Sequence, residues 1–127
     1  DYLSPAAMAG VIDESNARQV RAKAIAEAAN APVTEPGNRI LLERGVTILP
    51  SILVSSGGVT VSYFEWVQNL QQFSWDLETV RERLRKRLLA ASSAVFRLAD
   101  RQQCTYREAA YWIAAKRLKD ALYAAGF

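Results

Sequence analysis

Ser55-Ser56-Gly57-Gly58-Val59-Thr60-Val61-Ser62-Tyr63-Phe64-Glu65-Trp66-Val67-Gln68-Asn69 opens with two small polar residues and two glycines. It continues as an apolar, aromatic-rich run with polar residues interleaved. Two adjacent glycines allow close backbone approach, because no Cβ intervenes. The residues after them predict a helix of about four turns, ending near Gln72. The positive end of its dipole points at whatever lies beside Gly57 and Gly58.

Upstream, short apolar runs alternate with turn residues. Tyr2-Leu3 reads as the end of a strand cut short by Pro5. Pro5-Ala6-Ala7 turns the chain, and Gly10 marks a loop. Asp13 is a fair N-cap for a short helix through Ala17 and Val20. Residues 24–28, Glu27 apart, are small and apolar around Ile25 and read as a buried parallel strand, which need not alternate. Pro32, Pro36 and Gly37 make residues 30–37 a loop. Residues 38–44 predict a short helix, with Ile40, Leu41 and Leu42 as its apolar side and Gly45 as its stop. Residues 46–49 form a second strand ended by Pro50, and residues 52–54 give one helical turn before the glycines. This rhythm is that of a βαβ sheet. Ligands of such sheets bind beyond the carboxyl ends of the strands. Those ends lead here into Asn30 and into residues 50–58.

Downstream the periodicity is helical. Asp76 caps a helix running to about residue 102, with Leu77, Val80, Leu84, Leu88, Ala91, Val95 and Leu98 on one stripe. Thr105 and Glu108 form a capping-box pattern for the last helix. Its expected inner face is Ala110, Ala114, Leu118, Ala121 and Leu122, and Gly126 stops it.

The chain has 127 residues, half of them hydrophobic, with mixed charges, which suits a folded domain or part of one. It begins at Asp1 rather than Met, which reads as a processed, excised or partial chain. A single Cys104 excludes an internal disulfide and points to a reducing compartment, so a cytoplasmic setting is expected, with the mitochondrial matrix also compatible. No apolar run reaches the ~20 residues of a membrane span, and no membrane partner is expected. The absence of histidine removes the commonest metal ligand and general base, and no metal site is expected. Net charge is +3 but uneven: residues 1–75 carry 5 Lys/Arg against 7 Asp/Glu, whereas residues 76–119 carry 11 against 5. The basic run Arg81, Arg83, Arg85, Lys86 and Arg87 fans around its helix with Glu82 interleaved, as a solvated face does. A phosphate stripe would gather on one side, so no nucleic-acid partner is expected. Trp66, Trp75 and Trp112 read as core or interface aromatics, and Cys104 as a bystander.

The thirteen residues from Gly57 to Asn69 resemble the C-terminal signature of the glutamate/leucine/phenylalanine/valine dehydrogenase family, most closely its glutamate dehydrogenases. The resemblance extends in order through Pro5-Ala6-Ala7, Ala26-Glu27-Ala28-Ala29-Asn30-Ala31-Pro32, Ile40-Leu41-Leu42-Glu43-Arg44-Gly45, and Ala109-Ala110-Tyr111 with Lys116-Arg117, covering nearly the whole chain. It implies an α/β fold: a partial Rossmann-like unit, the second half of a dinucleotide-binding domain, over residues 1–72. Residues 73–127 follow as long C-terminal α-helices packing on it. It also implies a piece of an NAD- or NADP-dependent amino-acid dehydrogenase acting on L-glutamate and 2-oxoglutarate. The parent is a homo-oligomer, a hexamer in the family, and its N-terminal domain is a partner of this piece.

The resemblance carries over residue by residue. Val59 and Ser62 match positions lining the amino-acid side-chain pocket, and a Ser hydroxyl can donate to a γ-carboxylate. Asn30 matches the Asn that contacts the cofactor near its nicotinamide half. Ala6 matches a position whose backbone lies near the nicotinamide ring. Ser55 stands on the cofactor side where the family usually has Asn. Ala28 stands where Gly is usual and Ala31 where Gly is frequent. A left-handed backbone at Ala31 would strain alanine by ~1 kcal/mol or more. The Glu35-Pro36 order is also the reverse of the family's. The family's glycine-rich pyrophosphate fingerprint is absent from these residues, and its catalytic Lys and Asp belong to the N-terminal domain. No catalytic residue is therefore assigned here, and the 127 residues alone are expected to be inactive. Two other readings stay open: a leucine, valine or phenylalanine dehydrogenase piece, and a non-catalytic helical interaction module.

Overall fold

The computed structural model describes residues 1–126. Three short parallel strands, β1 (Tyr2–Leu3), β2 (Ala24–Ala26) and β3 (Thr47–Leu49), form one sheet in the order β1-β2-β3. Ile25 pairs with Leu3 on one side and Ile48 on the other. Because all three strands run the same way, the segments following them gather at one edge. The link from β2 to β3 is α1 (Glu35–Glu43), and the link from β1 to β2 holds only the 3-10 turn Ala17–Gln19. Arg44 ties the two crossovers together by donating to the carbonyls of Ala17 at 2.6 Å and Val20 at 2.7 Å.

Ile12, Ala17, Ile25, Val33, Leu41, Val46 and Ile48 close over each other as the core of this half. The segment following β2 adds a parallel bridge between Ile12 and Val33. Gly37 is required there: a Cβ on it would stand 2.9 Å from the Ile12 carbonyl oxygen.

After β3 come α2 (Ser51–Val54), α3 (Ser56–Gln71), α4 (Leu77–Gln102) and α5 (Tyr106–Ala124). Their termini are set by local chemistry. Asp76 accepts from the Thr79 amide at 2.7 Å, and Thr105 and Glu108 make the reciprocal capping box. Gln72 and Gln103 end α3 and α4 in left-handed backbone. A second, smaller core joins the sheet half to the helices through Leu53, Val95, Ala99, Ala109 and Ala110. Cation–aromatic contacts hold this corner: Arg87 of α4 faces Tyr63 and Phe64 of α3, and the Arg83 guanidinium lies 4.1 Å from the centre of the Trp75 ring in the link between the two helices. Part of the basic run is thus engaged in holding two helices together.

Four expectations change. Asp13 does not start a helix: its carboxylate accepts from the Ser15 amide and hydroxyl, and Asn16 bonds back to Asp13 and Val11. Such side-chain bonds compete with helical ones and leave only the 3-10 turn. Helix α1 starts three residues earlier than expected, at Glu35. Thr34 caps it by accepting from the Gly37 amide, and Pro36 falls in the first turn, where its missing N–H costs nothing. Gly57 and Gly58 lie inside the first turn of α3 with negative φ. Gly57 faces Leu84 and Leu88 of α4, and Gly58 faces open space. On α5, Ala110 is buried as expected, but Ala114, Leu118, Ala121 and Leu122 are exposed. Among the described residues, burial on α5 is confined to its first turns, at Ala109 and Ala110.

Candidate functional site

Beyond the carboxyl ends of the strands lies a hollow of about 780 Å³. Three chain segments build it. The segment after β1 brings Ala6. The segment after β2 brings Ala28, Ala29 and Asn30. The segment after β3 brings Ser55 and, from the first turn of α3, Val59. Small residues dominate the floor, so backbone lies close to the open space. The first two segments are pinned to each other: the amides of Ala28 and Ala29 both donate to the Pro5 carbonyl, at 3.1 and 2.9 Å. The Ser4 hydroxyl donates to the Ala26 carbonyl at 3.1 Å.

Four of the five residues singled out from the sequence meet here: Ala6, Asn30, Ser55 and Val59. Ser62 lies three residues on from Val59 along α3, exposed and outside the lining. Asn30 is exposed, and its side-chain amide makes no hydrogen bond to the described residues. It is free to offer a donor and an acceptor to a ligand. Ser55 donates its hydroxyl to the Ser51 carbonyl at 2.5 Å, leaving oxygen lone pairs as acceptors. Val59 is 70% exposed and presents an apolar surface to the opening. No charged side chain lines the hollow, so a bound anion would find its countercharge elsewhere.

The strained position beside the hollow is Ala31. It adopts φ +45°, the left-handed region, and its carbonyl accepts from the Gly10 amide at 3.0 Å. The turn holds Pro32 and Val33 in the core while leaving Asn30 outside it.

Sequence reasoning missed the role of Glu27. This carboxylate is fully buried at the end of β2. One oxygen accepts from the Ser51 amide at 2.8 Å and the other from Arg107 at 2.6 Å, across 80 residues of sequence. The available signal was a lone carboxylate within a run of small apolar residues that reads as buried. Its partner could not be seen, because nothing local links it to Arg107.

A larger hollow, about 880 Å³, opens between α4 and α5 around Leu98, Trp112 and Ile113. It lies on the helices alone and receives no strand end. The smaller hollow is the one at the edge where parallel sheets bind ligands. Among the described residues no cluster of His, Cys, Asp and Glu could hold a metal ion, and no helix is long and apolar enough to cross a membrane.

The geometry has counterparts in known proteins. Residues 1–126 match the family model of Glutamate/Leucine/Phenylalanine/Valine dehydrogenase. The NAD-specific glutamate dehydrogenase of Staphylococcus aureus is 47% identical over 121 residues, covering 95% of this chain and 29% of that protein. The glutamate dehydrogenase of Peptoniphilus asaccharolyticus superposes with a TM-score of 0.90 at 41% identity, over 97% of this chain and 31% of that one. The hetero-hexameric glutamate dehydrogenase of Thermus thermophilus, in its Leu-bound form, gives 0.94 at 38% identity over 99% and 30%. The chain thus spans under a third of the length of these relatives. With a match over nearly every residue and a shared parallel-sheet-plus-helices fold, the chain belongs to the Glutamate/Leucine/Phenylalanine/Valine dehydrogenase family.

Proposed function

We propose that this chain is the segment of an NAD-dependent glutamate dehydrogenase that walls the meeting point of nicotinamide and amino acid. The whole enzyme interconverts L-glutamate with 2-oxoglutarate and ammonia. One observation carries the reading: segments from three strand ends surround a single hollow whose lining includes Ala6, Asn30, Ser55 and Val59. Its volume lies within the usual ~300–1,000 Å³ of small-ligand sites. The similarity to NAD-specific relatives favours NAD over NADP.

The residues fit a nicotinamide. Alanines at 6, 28 and 29 leave room for a flat ring against backbone. The Asn30 amide has both hydrogen-bonding senses free for a carboxamide or ribose. A nicotinamide held there would supply a hydride acceptor for oxidation at the substrate Cα. The chain's own part is binding and orientation. Asn30 and Ser55 serve the cofactor side. Val59 covers the apolar stem of the substrate side chain, and the Ser62 hydroxyl reaches its γ-carboxylate from the next turn of α3. Residues 1–72 act as the cofactor-binding half. The helical part begins at residue 73, with Phe127 outside the described residues, and its exposed Tyr111, Trp112 and Leu118 pack against the rest of an oligomeric enzyme in the cytoplasm.

The test is a chimera in which these residues replace the matched segment of the Staphylococcus aureus enzyme. Glutamate-dependent NAD reduction is expected, with leucine, valine and phenylalanine turned over at least tenfold more slowly. A folded chimera that prefers one of those amino acids would reassign the substrate. A folded but inactive one, with the isolated chain binding duplex DNA in a salt-dependent way, would favour the helical interaction module.

A further inference from the structure

Glu27 does more than fill a space. Its backbone amide donates to the Leu49 carbonyl at 3.1 Å, and its side chain accepts from the Ser51 amide at 2.8 Å. The two bonds bracket Pro50, itself fully buried, whose carbonyl then accepts from Leu53 and Val54 to start α2. The second carboxylate oxygen takes Arg107 from the first turn of α5, where a cation is otherwise disfavoured by the helix dipole. One buried side chain therefore touches the strand that leads to Asn30, the turn that leads to Ser55 and Val59, and the helix behind them. Neither oxygen faces the hollow, so Glu27 acts on ligands only through the walls.

We infer that Glu27, held by Arg107, is the positioning residue of the site: it fixes the spacing between the Asn30 wall and the Ser55–Val59 wall. The inference rests on the dehydrogenase reading for its catalytic consequence, but the spacing itself is a property of this chain. Two partners at 2.6 and 2.8 Å, on opposite oxygens of a planar group, leave little freedom between the elements they belong to. Glu27→Gln keeps the shape but puts an amide NH2 against either Arg107 or the Ser51 amide, so one contact is lost. Glu27→Asp keeps the charge but is one methylene short of spanning both.

The first experiment is amide hydrogen exchange on the chain itself, comparing unaltered protein with Glu27→Gln, Glu27→Asp and Val95→Ala, a core variant of the helical half that leaves the Glu27 contacts in place. Exchange at residues 28–30 and 51–55 should rise together at least tenfold in both Glu27 variants, with residues 80–95 of α4 unchanged. Val95→Ala should leave 28–30 unchanged. Acceleration spread evenly over all elements, or confined to one wall, overturns the inference. The second experiment places Glu27→Gln and Val95→Ala in the chimera. The KM for NAD and the KM for glutamate should each rise about tenfold in Glu27→Gln alone. Unchanged KM values in a less stable Glu27→Gln enzyme would reduce Glu27 to a structural clamp. An inactive chimera would count against the dehydrogenase reading, while hydrogen exchange would still decide the spacing.

Discussion

The two halves of this chain are built to different standards of closure. In the sheet half, seven residues from Ile12 to Ile48 bury one another, and Leu41 is wholly enclosed. In the helical half, burial rests on Val95, Ala99, Ala109 and Ala110 around Leu53, and on Phe64 of α3, while Trp66, Leu70, Phe73, Trp112, Leu118 and Tyr123 stand largely exposed. The sheet half has a core of its own and carries two of the three segments around the hollow; the third, with Ser55 and Val59, belongs to the start of α3. The helical half is held by caps, by cation–aromatic contacts and by the Glu27–Arg107 pair. A site needing fixed spacing thus sits at the seam between the closed half and the start of α3, and the long helices α4 and α5 act as its brace.

The contrast can be broken by cavity-forming changes. Leu41→Ala should cost about 2–5 kcal/mol in urea-unfolding free energy, and Leu118→Ala less than about 0.5 kcal/mol. Equal costs would mean that α5 is buried in solution. Next in size is Gly37→Ala, where the new methyl meets the Ile12 carbonyl. A loss of about 1–3 kcal/mol is expected, and it should appear in the sheet half first by hydrogen exchange.

The helical half should respond to its caps. Thr105→Ala removes the acceptor of the Glu108 amide and should cost about 1 kcal/mol. The Thr105 amide, and then its hydroxyl, hold the Glu108 carboxyl below its ordinary 4.5, and the Thr79 amide and hydroxyl hold Asp76 below 3.8. A carboxyl depressed in the folded state stabilises fully above its ordinary value and loses that contribution as pH falls through the lower folded value. The urea midpoint should therefore drop as pH falls below 4.5. Thr105→Ala should flatten that drop.

The smallest effect sharpens the comparison at the hollow's rim. Ala31→Gly should relieve the left-handed strain and stabilise by up to about 1 kcal/mol, read as a rise in the urea midpoint.

What was legible in the sequence was chemistry that acts over one helical turn. Asp76 and the Thr105–Glu108 box placed α4 and α5 at their observed starts, and the small apolar run around Ile25 marked the central strand. The family resemblance pointed to Ala6, Asn30, Ser55 and Val59, although only three-dimensional proximity brings them around one hollow. What stayed hidden depended on distant partners. Asp13 carries a cap residue's side chain, but Ser15 and Asn16 capture its bonds. The expected inner face of α5 is apolar by pattern, yet Ala114, Leu118, Ala121 and Leu122 stay exposed among the described residues. Glu27 sat inside the quoted run with no visible function, because its meaning lies in Arg107.

The central claim is that the first turn of α3 faces an amino-acid substrate across the hollow. Val59→Asp tests it most directly, because an exposed side chain can be replaced at little cost to folding. In the chimera, steady-state kinetics should show the KM for glutamate raised at least a hundredfold by like-charge repulsion, with the KM for NAD changed by less than threefold. An unchanged KM for glutamate would contradict the account.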